Sequence, residues 1–140
     1  MKFKVWSFIS NDWEKDECFL SENGSLFQRK NGRFFGMNDR TYRALFASGL
    51  FTNVGERREV YEGDILEVTQ CCETSYMVLK FDEKGFGYFQ WLDKLTETSF
   101  APDKLNLKLF LQEKLFTGAK VALVGNYITK NKTEGWILHV

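Results

Sequence analysis

Residues 61–92 constrain the fold more tightly than any other stretch. Tyr61-Glu62-Gly63-Asp64 reads as a turn and leads into the apolar run Ile65 to Thr69. Tyr76 to Phe81 sets Tyr76, Val78 and Lys80 against Met77, Leu79 and Phe81, the two-residue period of a strand buried on at least one face. Asp82-Glu83-Lys84-Gly85 supplies a turn, and Phe86 to Leu92 returns as the partner strand. Strand, four-residue turn, strand is a β-meander, which commits the middle of the chain to antiparallel sheet.

The flanking sequence extends that pattern. Lys2 to Ser7 alternates, with Phe3 and Val5 on one face and Trp6 on the other, so both faces of this strand are expected to be covered. Cys18-Phe19-Leu20 and Ser25-Leu26-Phe27 flank a turn containing Asn23-Gly24, and a second Asn-Gly turn, Asn31-Gly32, precedes Phe34-Phe35. Asn-Gly tolerates the positive φ angles of a tight hairpin. Arg40 to Phe46 reads as a short helix, capped by Asn38 or Asp39 and ended by Gly49. Between 103 and 116 two periods compete. Leu105, Leu107, Leu109 and Leu111 fit a strand, whereas Leu107, Phe110, Leu111 and Leu115 fit a helical face. Helix is preferred, because Leu, Lys, Gln and Glu favour it, Pro102 suits a first turn and Gly118 a stop. Val121 to Ile128 is expected to be a strand with a bulge at Gly125-Asn126, and Trp136 to Val140 a last strand.

A chain of 140 residues is near the size of one domain, and 44% hydrophobic with 27% charged is a folded, soluble profile. Nineteen basic and 19 acidic residues give zero net charge, so no general positive field draws the chain onto phosphate backbones. Nucleic acid is therefore an unfavoured partner. Three cysteines, two of them adjacent, make a poor disulfide framework and suit a reducing, cytoplasmic setting. No long apolar run suggests a membrane span.

Each candidate constellation has a plainer structural reading. Glu62 and Asp64 flank Gly63 and invite an acid/base or metal role, but no further ligand spacing accompanies them. A Gly-Asp turn entering an apolar strand explains the pair, with Gly in a left-handed conformation and Asp bonding nearby backbone N–H groups. Cys71-Cys72 lacks the C-x-x-C spacing of redox motifs, and the single histidine, His139, offers no zinc set. Two small residues in a strand or loop is the preferred reading. The 14 phenylalanines form either a core or a stacking platform for single-stranded nucleic acid, beside Arg29-Lys30, Arg33, Arg40 and Arg43. Interleaved acids such as Glu22 and Asp39 favour core packing and a mixed, solvated surface. No cofactor and no metal are expected.

Four segments carry a resemblance. Lys2-Phe3-Lys4-Val5-Trp6, Leu50-Phe51-Thr52, Val60-Tyr61-Glu62-Gly63-Asp64-Ile65-Leu66 and Val124-Gly125-Asn126-Tyr127 follow one another in the order of the YopX family. That family is written as a K-F-R-A-W strand, a phrase like Q-Y-T-G-L…I-Y-E-G-D-I, and a closing V-I-G-N-I-Y-E-N-P. The chain resembles it from Lys2 to Tyr127, outside roughly 10–45 and 93–120. Asn53-Val54 replaces the usual Gly-Leu, and Asn is the residue after Gly that best tolerates a left-handed turn. The loop Gly55 to Glu59 is about two residues shorter, a tolerable change at a surface. The N-P ending is missing, with Thr129 to Val140 in its place.

YopX proteins are carried by phages, prophages and plasmids and have no assigned biochemical role. The resemblance implies a phage or prophage accessory protein in the bacterial cytoplasm, and no catalytic residues. Its motif residues, Trp6, Phe51, Thr52, Tyr61, Glu62, Gly63, Asp64, Gly125 and Asn126, are read as structural. The sequence thus predicts a single mainly β domain over 1–140, a twisted meander curled into a small SH3-like barrel or half-barrel with one or two short helices. The function it favours is a non-enzymatic module that binds a protein partner or itself as a homo-oligomer. A nucleic-acid-binding barrel is the alternative, and a carboxylate-and-metal hydrolase the least favoured.

Overall fold

The computed structural model describes residues 2–92, 104–106 and 118–130. Every helix or strand among them is a strand, so the fold is mainly β, and it includes a curled half-barrel sheet. The chain divides into two compact units, Met1–Phe46 and Ala47–Val140.

In the first unit, β1 (Phe3–Ser7) pairs antiparallel with β2 (Asp12–Trp13) and with the start of β6 (Tyr42–Phe51). Val5, Trp6 and Ser7 are buried in succession, so both faces of β1 are covered. A separate sheet is built from β3 (Cys18–Leu20), β4 (Leu26–Lys30) and β5 (Arg33–Gly36), in that order. Asn31 and Gly32, at φ 52 and 77, close the β4–β5 hairpin between the paired Lys30 and Arg33. Both central residues have the positive φ that a type I′ turn requires.

Arg40 to Phe46 is not a helix. Asn38 caps a turn, accepting from the Arg40 amide at 2.8 Å, and Tyr42 to Phe46 then runs beside β1 with Phe46 opposite Phe3 and Tyr42 opposite Ser7. Burial of Leu45 in that sheet outweighs the local helix propensity of Arg, Ala and Leu. Gly49 at φ 78 is no helix stop either. It sits where the register of β6 shifts between Ala47 and Phe51.

In the second unit, the later residues of β6 pair with β7 (Glu59–Tyr61). The five-stranded antiparallel sheet has the order β11 (Lys104–Asn106), β10 (Gly87–Trp91), β9 (Glu73–Phe81), β8 (Asp64–Gln70) and β12 (Lys120–Asn126). The meander expected from 65–92 is its centre. Alternation sends Leu66, Val68, Met77 and Leu79 into one cluster with Val60, Phe89 and Val121, while Ile65, Val78 and Val124 form another. The helix expected over 103–116 is corrected at its start, where Lys104–Asn106 is a strand against β10. The rest of that expectation, and the strand at Trp136 to Val140, lie outside the described residues. In β12 the register shifts between Leu123 and Gly125, so the strand has a bulge, but it falls at Val124, one residue before the expected Gly125-Asn126, which pair with Ile65 and Asp64.

Candidate functional site

Six of the nine motif residues meet in one place. Gly63, at φ 86, turns the chain from β7 into β8, and its amide donates to the Leu79 carbonyl at 2.8 Å. Asp64 is 7% exposed, and its Oδ2 accepts the Tyr61 amide at 2.7 Å, as a capping carboxylate in such a turn should. Asn126, 5% exposed, comes from the far end of β12 and joins everything else. Its Nδ2 donates to the Glu62 carbonyl at 3.0 Å and to Asp64 Oδ1 at 2.9 Å. Its Oδ1 accepts the amides of Ile128 and Thr129 at 2.9 and 3.0 Å. Gly125 pairs with Ile65 just after the bulge, which sets Asn126 opposite Asp64. The carboxylate pair therefore does not converge on an open cleft. Asp64 has both oxygens engaged in a buried clamp that ties the turn to β12.

The other motif residues are also packed. Thr52 is buried, its Oγ1 accepting from the Arg58 amide at 3.1 Å while its own amide donates to the Arg58 carbonyl at 2.9 Å. Phe51 carries the Arg57 guanidinium over its ring at 4.1 Å. Trp6 lies edge-on to Trp13 at 5.0 Å, with Lys4 4.5 Å from the Trp13 ring. Sequence reasoning missed the work of Asn53. It is not in a left-handed conformation. Its Nδ2 donates to the Ala119 carbonyl at 2.9 Å and its Oδ1 accepts the Val121 amide at 2.7 Å, so it pairs with β12 as a strand backbone does. Nothing in a single sequence links positions 66 to 68 residues apart in this way.

Cys71 and Cys72 are exposed and form a two-residue hairpin turn between the paired Gln70 and Glu73, at φ 49 and 71. Cys18 is different. Burial pushes its thiol upward in pKa, and the charges of Glu14 and Asp16 add to that. Among the described residues no three His, Cys, Asp or Glu side chains form a metal-binding group, and no helix is long and apolar enough to cross a membrane.

Tyr76 is pushed up to about 12, first by burial and then by its hydrogen bond to Glu67 Oε2 at 2.8 Å and the negative charge there. An unfolded tyrosine ionises near about 10. Its folded value is raised, so its contribution to stability is intact below that pH and is lost as pH climbs through about 12. Ultraviolet titration of phenolate absorbance, compared with a Tyr76→Phe variant, should show Tyr76 ionising late. Glu67→Gln should bring it down only part of the way, because burial is the larger cause.

The accessible surface of note lies on the β3-β4-β5 sheet. Register puts Phe19, Phe27 and Phe34 on one face, with Arg29 opposite Phe34 and the Arg29 amide donating to the Glu17 carbonyl. Phe19 and Phe34 meet edge-on at 5.4 Å, and the rings line a shallow hollow of about 350 Å³. Phe34 is 61% exposed and Phe35, on the opposite face, 51%. Lys30 and Arg33 share the face of Phe35, and Lys30 is 3.6 Å from Asp16. Each face thus carries both kinds of group, three rings with Arg29 on one and Phe35 with Lys30 and Arg33 on the other.

No family model matches the chain, and neither does any curated protein or solved structure.

Proposed function

We propose that this chain is a non-enzymatic protein-interaction module, a phage or prophage accessory protein of the kind the YopX resemblance implies, working in the bacterial cytoplasm. The observation that carries the reading is the phenylalanine face of the β3-β4-β5 sheet, where the exposed Phe34 and the half-buried Phe19 and Phe27 line a hollow. Exposed large aromatics clustered around a hollow are the usual composition of a protein-binding surface, where Phe supplies contact area and few charges need desolvation. The same face suits nucleic acid less well. Its three rings are accompanied by Arg29, whose neighbour across the strand pair is the acidic Glu17, and a stacking platform needs basic groups along the same groove.

The test is affinity enrichment from bacterial host extract, followed by reconstitution with the purified protein that is retained. Wild type and a Phe27→Ser/Phe34→Ser variant, matched for folding by circular dichroism, are compared. Loss of two central aromatic contacts should weaken the reconstituted complex by roughly tenfold or more. Equal affinity in both removes the face from the account. Submicromolar oligonucleotide binding that weakens steeply with salt would replace this reading with the nucleic-acid one.

A further inference from the structure

We propose that two copies of this chain pair through β5, antiparallel about a two-fold axis at Phe35, so that their phenylalanine faces merge into one surface. The inference rests on the reading of that face as an interaction surface and deepens it, because a second copy paired along the β5 edge extends the face.

β5 is the end strand of its sheet, and all four of its residues are exposed. Register says which backbone groups it offers. In the tight hairpin Lys30 and Arg33 exchange hydrogen bonds, so by alternation Gln28 and Phe35 do too, while Phe34 and Gly36 turn their N–H and C=O groups away from β4. Two further bonds agree with this phase: the Met37 amide donates to Leu26, and the Arg29 amide points to the β3 side at Glu17. Among the described residues no strand pairs with the outer side of β5. An edge of this kind is a template for another strand unless charge, Pro or a bulge blunts it, and Arg33 is the one charge in β5.

A second β5 fits that template in one register better than in others. Centring the axis on Phe35 sets Phe34 opposite Gly36 of the other copy, and the reverse, so that both outward residues of each strand exchange their hydrogen bonds. Each Phe34 ring then lies over a glycine with no side chain to obstruct it, repeating the Phe27–Gly36 pairing already present within one copy. Arg33 falls opposite Met37 rather than another cation. Shifting the axis to Phe34 leaves Gly36 facing Gly32 in the turn and halves the ladder. An axis perpendicular to the sheet keeps both phenylalanine faces on the same side. The row Phe19, Phe27 and Gly36 then continues into Phe34 of the second copy, which therefore contributes a ring to the binding surface.

Disulfide trapping tests the register directly. In a background with Cys18, Cys71 and Cys72 changed to Ser, Phe35→Cys places two thiols opposite each other at a non-hydrogen-bonded pair. Their Cα atoms should be about 4.5 Å apart, inside the roughly 4.4–6.8 Å span of a disulfide. Phe34→Cys separates its two copies by roughly 8 Å and should not bridge. Mild oxidation is expected to convert most of the first variant, and little of the second, to covalent dimer. Light scattering on the unmodified protein should show dimer at tens of micromolar, an arbitrary working range, and Gly36→Pro, which deletes an outward N–H without touching the β4 ladder, should return it to monomer. Equal trapping of both variants, or monomer throughout, overturns the pairing. Monomer with face-dependent partner binding would sink this inference alone, and dimer with no dependence on the face would sink the functional reading alone.

Discussion

Gly63→Val and Asn126→Ala should be the two most damaging substitutions in the second unit, the first with a loss of roughly 2–5 kcal/mol or outright insolubility. Two costs add. The backbone at φ 86 is closed to a β-branched residue, which by itself costs about 1–2 kcal/mol. Space is also lacking. A Cβ at this position would stand 2.7 Å from Ile128 Cδ1 and 2.8 Å from Asn126 Oδ1. The side chain that has to give way is the one holding the Ile128 and Thr129 amides, so the clash spreads into the clamp. Gly63→Ala keeps both penalties in smaller form. Gly118, also at positive φ (83), has open space around it and serves as the control, since an alanine there meets only the backbone cost. Urea denaturation of the three variants should rank Gly63→Val first, Gly63→Ala next and Gly118→Ala last.

Asn126→Ala should cost about 3–5 kcal/mol, more than Asp64→Ala at about 1–3 kcal/mol. A buried group left without a partner costs roughly 1–3 kcal/mol, and truncating Asn126 strands the Ile128 and Thr129 amides and removes a donor from Glu62 and Asp64. Asp64→Ala releases the Tyr61 amide and one side-chain donor. Asn126→Asp is the informative control. It keeps the two accepting contacts but replaces the donor with an oxygen facing Asp64, and two carboxylates in one buried site repel. Thermal unfolding should place it near Asn126→Ala at neutral pH and recover part of the loss at acidic pH, where one carboxyl is protonated and shares its proton.

Sequence pattern revealed what is local and repetitive. The Asn31-Gly32 hairpin, the meander and the β12 bulge follow from short-range rules, because turn chemistry and alternation act within a few residues. Arg40 to Phe46 misled for the same reason. Its cap and its helix formers are local, whereas the strand it forms is decided by β1, 35 to 43 residues earlier, with Ser7 opposite Tyr42 and Phe3 opposite Phe46. Cys71-Cys72 reads as strand or loop with no turn type of its own, since neither residue is one that a type I′ turn normally selects. The Asp64 cap was legible from the Gly-Asp pattern. Its partnership with Asn126, 62 residues away, was not, and neither was the Asn53 clamp on β12. The phenylalanine face was invisible in outline, because 14 phenylalanines read as core until register sets Phe19, Phe27 and Phe34 on one face, and among the described residues only Phe89 is fully buried.

The central claim is that the Tyr61–Asp64 turn and its Asn126 clamp hold the second unit together while the exchangeable surface lies on β5. Residue-resolved amide hydrogen exchange at two protein concentrations addresses both halves. The account predicts slow exchange at Tyr61, Gly63, Ile128 and Thr129 at either concentration, and exchange at Phe34 and Gly36 that slows as concentration rises. Rapid exchange at Tyr61 and Ile128 beside a protected β8–β9 ladder, with Phe34 and Gly36 indifferent to concentration, would contradict it.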